Sequence, residues 1–298
     1  ENVQMINERI IQTNNGKKRI RLWSDEALLD WHIKWRDECT VNPFVLTDRV
    51  LLTKQQEKRI KIDEQWLTLH DEIIDTFPQK GSESQWGKIL GKMIVFGQKY
   101  ENASLNPEEK VYPKQTTAWK DWMTSTKLLD DLKRKTLQSC LQEAARRIHK
   151  ASELQKTGSE TALPVMDKVT HLSQGKKIAN IFIWAGTQEK PERGFTSFTH
   201  FLQKWLAEND RDSLYLLLDT LNKEANLKET YGNHLLASAW EPWELVQAME
   251  KFMNCQETEE MDIHFTTFQK EWNEQRELVL ALNEWINPEA KKVAANES

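Results

Sequence analysis

His70-Asp71 is the dipeptide in this chain whose side chains could do chemistry between them. An imidazole and a carboxylate can share a divalent metal, and a metal so held activates water for attack on a phosphate. His32 supplies an earlier imidazole and Asp130 or Asp131 a later carboxylate, so His32, His70, Asp71 and Asp131 make a set of the right types. The same residues have a plainer reading. His70, Asp71, Glu72 and Asp75 form one polar patch, which on a helix is its solvated face.

The order His, then His-Asp, then a distant Asp resembles that of the helical metal-dependent phosphohydrolases of the HD type. The resemblance implies hydrolysis of a phosphate ester at a metal centre. The remaining histidines, His149, His171, His200, His234 and His264, form no His pair at i, i+4 and no Glu-x-x-His motif. Gly-x-Gly-x-x-Gly, Gly-x-x-x-x-Gly-Lys-[Ser/Thr] and Gly-x-Ser-x-Gly are all missing. Neither a phosphate-cradling loop nor a nucleophile elbow is expected, and no cofactor. Cys39 and Cys140 fall on apolar helical faces and read as packing residues. With Cys255 they make an odd number without a Cys-x-x-Cys pair, which points to a reducing compartment and a cytoplasmic location.

Binding is the stronger theme. Lys17, Lys18, Arg19 and Arg21 put four cations within five residues beside Trp23, and Lys58, Arg59 and Lys61 form a second cluster. Such clusters suit an acidic protein surface, or nucleic acid with a tryptophan to stack on bases. A net charge of −5 tells against a dedicated nucleic-acid binder. The expected function is a non-catalytic protein-protein interaction or assembly module, with nucleic-acid binding and HD-type hydrolysis as the alternatives.

The elements that would carry these residues read as helices. Gly and Pro number only 10 and 8, and charged residues reach 29%, a balance that favours long solvent-washed helices. Helical periodicity is expected over 2–14, from Ser24 to Cys39, over 48–77, from Trp86 to Tyr100, over 118–126 and 128–154, and in five segments after 163, the last ending at Trp285. The most apolar run, Ile178 to Ala185, is assigned to a buried helix closed by Gly186, and Asn15-Gly16 is not taken as a hairpin turn. Trp31/Trp35, Trp119/Trp122 and Trp240/Trp243 stand at helical spacing and should lock helix against helix. Gly87, Gly91 and Gly97 should let another backbone approach closely. Residues 101–116 read as an irregular connection, and the polar tail from Glu289 should fray.

Residues 1–157 carry a net charge of +4 and residues 158–298 a net charge of −9, with a Gly/Ser/Thr cluster at the change. An all-α body of two lobes is therefore expected, a Trp-rich basic lobe over 1–157 and an acidic lobe over 158–298, with little or no sheet. No apolar run reaches the ~18 residues of a membrane span, and the opening Glu-Asn-Val-Gln lacks the order of a signal peptide.

Overall fold

The computed structural model describes residues 3–99 and 117–288, so the connection over 101–116 and the tail from Glu289 lie outside the described residues. In chain order the elements are β1 (Gln4–Asn7), β2 (Ile10–Thr13), β3 (Gly16–Trp23), α1 (Glu26–Glu38), β4 (Val45–Thr47), β5 (Ile60–Ile62), β6 (Gln65–Asp71), α2 (Glu83–Gln98), α3 (Thr117–Ser125) and α4 (Asp131–Thr157). There follow β7 (Val165–Met166), a 3-10 turn (Leu172–Gln174), β8 (Gly175–Ile178), β9 (Ile181–Trp184), β10 (Glu192–Arg193), α5 (Thr196–Glu208), α6 (Arg211–Ala225), α7 (Leu227–Trp240), α8 (Trp243–Asn254) and α9 (Thr258–Ile286). They cluster into two compact units. The first comprises Glu1–Glu109 with Ala162–Leu227, the second Lys110–Thr161 with Lys228–Ser298.

Among the described residues all the strands belong to the first unit, which overturns the all-α expectation. Its main sheet is antiparallel with order β1-β2-β3-β6-β5, and a second sheet has the order β4-β9-β8. Where a helix was expected over 2–14 there is a strand pair, and Asn15-Gly16 does close a hairpin: Thr13 pairs with Gly16, whose φ of 88° is open to glycine. Where a helix was expected over 48–77 there are β4's exit, β5 and β6, the last two joined at Asp63, whose φ is 50°.

Register explains how these strands escape a hydrophobic reading. β3 and β6 pair Arg19 with His70, Arg21 with Thr68 and Trp23 with Trp66 on one face, and Lys18 with Asp71, Ile20 with Leu69 and Leu22 with Leu67 on the other. The first face is the buried one. Arg21, Thr68 and His70 are all under 9% exposed whereas Leu22 is 49% exposed. The usual apolar-in, polar-out alternation is inverted.

The apolar run Ile178 to Ala185 is a hairpin and not a helix. Ile178 pairs with Ile181, Ala179 takes a left-handed φ of 51° in the turn, and Asn180 leaves the strand interior at that turn. Phe182 and Trp184 point into a ring cluster, with Phe182 5.0 Å and Trp184 6.0 Å from the Trp86 ring. Trp205 lies 5.4 Å from the same ring. α2 packs closely through its glycines, against α6 where a Cβ at Gly87 would stand 2.6 Å from the Leu217 carbonyl, and against β7 where one at Gly97 would stand 2.5 Å from the Val165 carbonyl.

The second unit is helical in its described residues. Trp119, Leu137, Leu141, Leu245, Phe252, Phe265, Phe268 and Trp272 belong to one apolar cluster shared by α3, α4, α8 and α9. Arg147 of α4 is buried in it, donating to Glu244 of α8 at 2.5 Å and lying 4.6 Å over the Trp272 ring. No helix among the described residues is long and apolar enough to cross a membrane.

Candidate functional site

The inverted face of the sheet opens onto a cleft in the first unit. Arg19, Arg21, Asp48, His70, Asp71, Glu72, Lys176 of β8, Ile183 and the segment Ala185–Glu189 line a cavity of about 550 Å³, within the range of small-molecule sites. Its floor is a buried ionic knot.

Asp48, just past β4, is the centre of that knot. It accepts from Arg21 Nη2 at 2.6 Å, from Arg36 Nε at 3.0 Å and from the Gly186 N–H at 3.0 Å. Burial alone would raise the Asp48 carboxyl, but Arg36 and Arg21, with His70 and the Gly186 N–H, bring it below the usual carboxylate range. Arg21 Nη1 also donates to the carbonyls of Gly186 (2.8 Å) and Thr187 (3.1 Å), and Arg36 Nη2 donates to Thr187 O at 3.0 Å. Two arginines thus fix the segment after β9 against β3 and α1. A Cβ at Gly186 would stand 2.6 Å from the Trp35 ring and 2.8 Å from Arg36 Nη2, so only glycine fits there.

The two histidines of the expected metal set are part of this framework. His32 Nε2 lies 2.9 Å from the Glu189 carbonyl and its Nδ1 3.0 Å from Arg36 Nη1. Burial, then the Arg36 charge, lowers its pKa to about 3. His70 sits 2.9 Å from both Thr68 Oγ1 and the Asp48 carbonyl, and burial lowers its pKa to about 4 despite the nearby Asp48 carboxylate. His70-Asp71 lies on a strand, so the two side chains point to opposite faces, and Asp71 forms an ion pair with Lys18 on the outer one. Asp131 opens α4 in the other unit.

The basic clusters are tied up within the unit. Arg19 is bidentate to Glu72, with Nη2 to Oε1 at 2.6 Å. Trp23 donates to Thr68 Oγ1 at 2.9 Å. Lys58 pairs with Asp37, Arg59 with Glu26 and Asp30 of α1 while lying 4.4 Å over Trp66, and Lys61 lies 5.5 Å over the same ring. Lys17 lends its carbonyl to the Glu72 N–H at 3.0 Å. These contacts join β3, β5 and β6 to one another and to α1.

Behind the cleft wall lies Asp167, fully buried after β7. Its two oxygens take the Thr187 N–H at 2.8 Å and the Thr187 hydroxyl, and burial raises its pKa against the pull of Arg36 and Thr187. Asp48, Arg36, Asp167 and Lys176 were not among the residues singled out from sequence. Gly186 was noted for closing the apolar run and not as part of a site.

No protein-family model matches the sequence, and no curated protein matches it. Solved structures do share the fold. An aminoglycoside phosphotransferase from Alicyclobacillus acidocaldarius is similar with a TM-score of 0.68 at 11% identity, over 96% of this chain and 92% of its own. A spectinomycin phosphotransferase in complex with ADP and spectinomycin gives 0.55 at 10% identity, over 95% and 93%. An amicoumacin kinase in complex with AMP-PNP and Ca²⁺ gives 0.50 at 10% identity, over 92% and 88%.

The fold is that of these kinase-like, mixed α/β phosphotransferases. The expected all-helical scaffold for protein-protein interaction gives way to it, and so does the HD-type alternative, since an HD site needs a helical frame and here the His-Asp pair is on a strand.

A divalent ion of the kind bound with AMP-PNP in the amicoumacin kinase finds a poor donor set in this cleft. Of the carboxylates that line it, Asp48 is held by two arginines, Glu72 by Arg19, and Glu189 by Lys168 at 2.9 Å, while the Asp71 carboxylate pairs with Lys18 on the outer face of the sheet. Asp167 is enclosed by Thr187. As arranged, these groups do not fit a metal.

Proposed function

We propose that the first unit binds a nucleotide in this cleft and that the protein is a kinase-like phosphotransferase acting on a small hydroxylated acceptor. The observation that carries the reading is the cleft itself, whose inner sheet face presents Arg19 and Arg21 to a cavity of about 550 Å³ where most antiparallel sheets would bury leucines. The likeness in fold to phosphotransferases supports the choice of a nucleotide. Lys176 lines the cleft, and as the lysine that β8 turns toward the cavity it is the first cation to meet the phosphates. Arg19 joins it by exchanging Glu72 for phosphate, and Arg21, consumed by Asp48 and two carbonyls, holds the shape of the floor.

In this reading Asp167 is the general base. Its raised pKa suits proton acceptance from a hydroxyl, and it reaches an acceptor once Thr187 gives way. The three cysteines are free, in keeping with a reducing compartment, which we take to be the cytoplasm. The test is transfer of the γ-phosphate from ATP to a panel of small hydroxylated acceptors, followed by mass spectrometry of the acceptor. Asp167→Asn should lower transfer by about 10²-fold or more and leave nucleotide affinity unchanged. A wild-type protein that binds nucleotide and phosphorylates no acceptor would overturn the enzymatic part of the reading.

A further inference from the structure

The second unit holds a group of side chains unconnected with the cleft. Cys255, Glu260 and His264 each offer one donor atom, and the three donors lie within 4.8 Å of one another. We propose that these residues form a zinc-type metal site that braces the turn between α8 and α9.

The local sequence builds the geometry. Cys255 caps α8, and Glu260 and His264 stand four residues apart on the opening turns of α9, so they share one face directly across the turn. His264 Nε2 lies 3.7 Å from Glu260 Oε1, a spacing that fits two ligands at ~2.0–2.2 Å from one tetrahedral ion. Glu260 Oε2 accepts from the Gln256 N–H at 3.3 Å, which turns the other oxygen toward the histidine, as outer-shell bonds commonly orient metal ligands. Cys255 Sγ stands 3.3 Å from the Lys251 carbonyl at the rim of the apolar cluster that contains Phe252 and Met261. His264 is half-buried and Glu260 exposed, so the group opens to solvent on one side.

Thiolate, imidazole and carboxylate together select a borderline ion such as Zn²⁺ over Mg²⁺ or Ca²⁺, which prefer oxygen donors alone. Three protein donors leave a fourth position for water. An isolated carboxylate-histidine ion pair would not need the thiol, and a packing cysteine would not need the two polar groups across from it. Their convergence is what the metal explains.

The test uses the full chain, reduced with a non-thiol reagent and titrated with Co²⁺, whose thiolate complexes absorb in the near ultraviolet. The wild type should show thiolate-to-cobalt absorption saturating at one equivalent and displaced by Zn²⁺. Cys255→Ser should lose that band. His264→Asn, at a half-exposed position, should keep the fold by circular dichroism, weaken Co²⁺ binding more than about tenfold, the scale on which even outer-shell partners act, and lose the rise in Tm that Zn²⁺ gives the wild type. Absence of the band in folded wild type, or its persistence in Cys255→Ser, would overturn the site.

Discussion

Asp48 joins three separate parts of the first unit through one carboxylate. It neutralises two arginines that are themselves 8% and 1% exposed, and it ties the Gly186 N–H to the floor of the cleft. A buried pair is weak evidence of net stabilisation, since desolvation offsets most of the attraction, but removing one partner leaves the other charged and unpaired. Asp48→Asn should therefore lower stability by about 3–5 kcal/mol, read from urea unfolding. A loss below about 1 kcal/mol would mean that the arginines find other partners.

His32 and His70 make the same region sensitive to acid. Their folded pKa values of about 3 and about 4 lie well below the ~6.5 of an unfolded histidine, so between these limits the unfolded chain takes up protons that the folded one refuses. The sign follows: their contribution is complete above pH ~6.5 and is lost as pH falls toward 4 and then 3. Asp48, with its depressed pKa, adds a further loss at the acid end of that range. The urea midpoint should fall steadily from pH 6.5 to 4, and NMR should show His32 and His70 still neutral at pH ~5.5, where an unfolded histidine is already largely protonated. A normal imidazole titration near 6.5 at either residue would contradict the buried network.

At the scale of elements, the β8–β9 hairpin contributes Lys176 and Ile183 to the cleft, and α2 packs against the other side of that hairpin through Trp86, whose ring meets Phe182 and Trp184. α2 can lie against α6 only because Gly87 and Gly91 carry no side chain there. Gly87→Ala forces a Cβ into the Leu217 carbonyl and should cost about 1–3 kcal/mol, as overpacked cores do, measurable as a lower thermal midpoint. An unchanged midpoint would show that α6 has room to yield.

The close approach of these glycines was legible from their spacing on a helix, as was the helical character of α1, α4, α5, α6, α8 and α9. The sheet was not. β3 and β6 bury arginine, threonine and histidine and leave leucine outside, so the alternation that marks a strand carries the wrong polarity. Lys17 to Arg21 consequently read as an exposed binding cluster and His70-Asp71 as a helix face. Ile178 to Ala185 is apolar on both faces because β9 is covered on both, and such a run has no periodicity to separate strand from helix. The ionic knot was illegible for another reason. Arg21, Arg36, Asp48, Asp167 and Thr187 come from five separate stretches, and only the fold brings them together.

Over the whole molecule, the described residues form a mixed first unit that contains the cleft and a helical second unit that contains the proposed metal site. The central claim is that the cleft takes a nucleotide. Its most direct test is an equilibrium titration of the full chain with a non-hydrolysable ATP analogue by calorimetry, beside Lys176→Glu and Glu72→Gln. Saturable binding at one site is expected, at least tenfold weaker in Lys176→Glu, which turns an attraction for phosphate into a repulsion of ~1.4 kcal/mol or more, and tighter in Glu72→Gln, which releases Arg19. Folded wild-type protein that shows no saturable binding, or binding indifferent to both substitutions, would contradict the account.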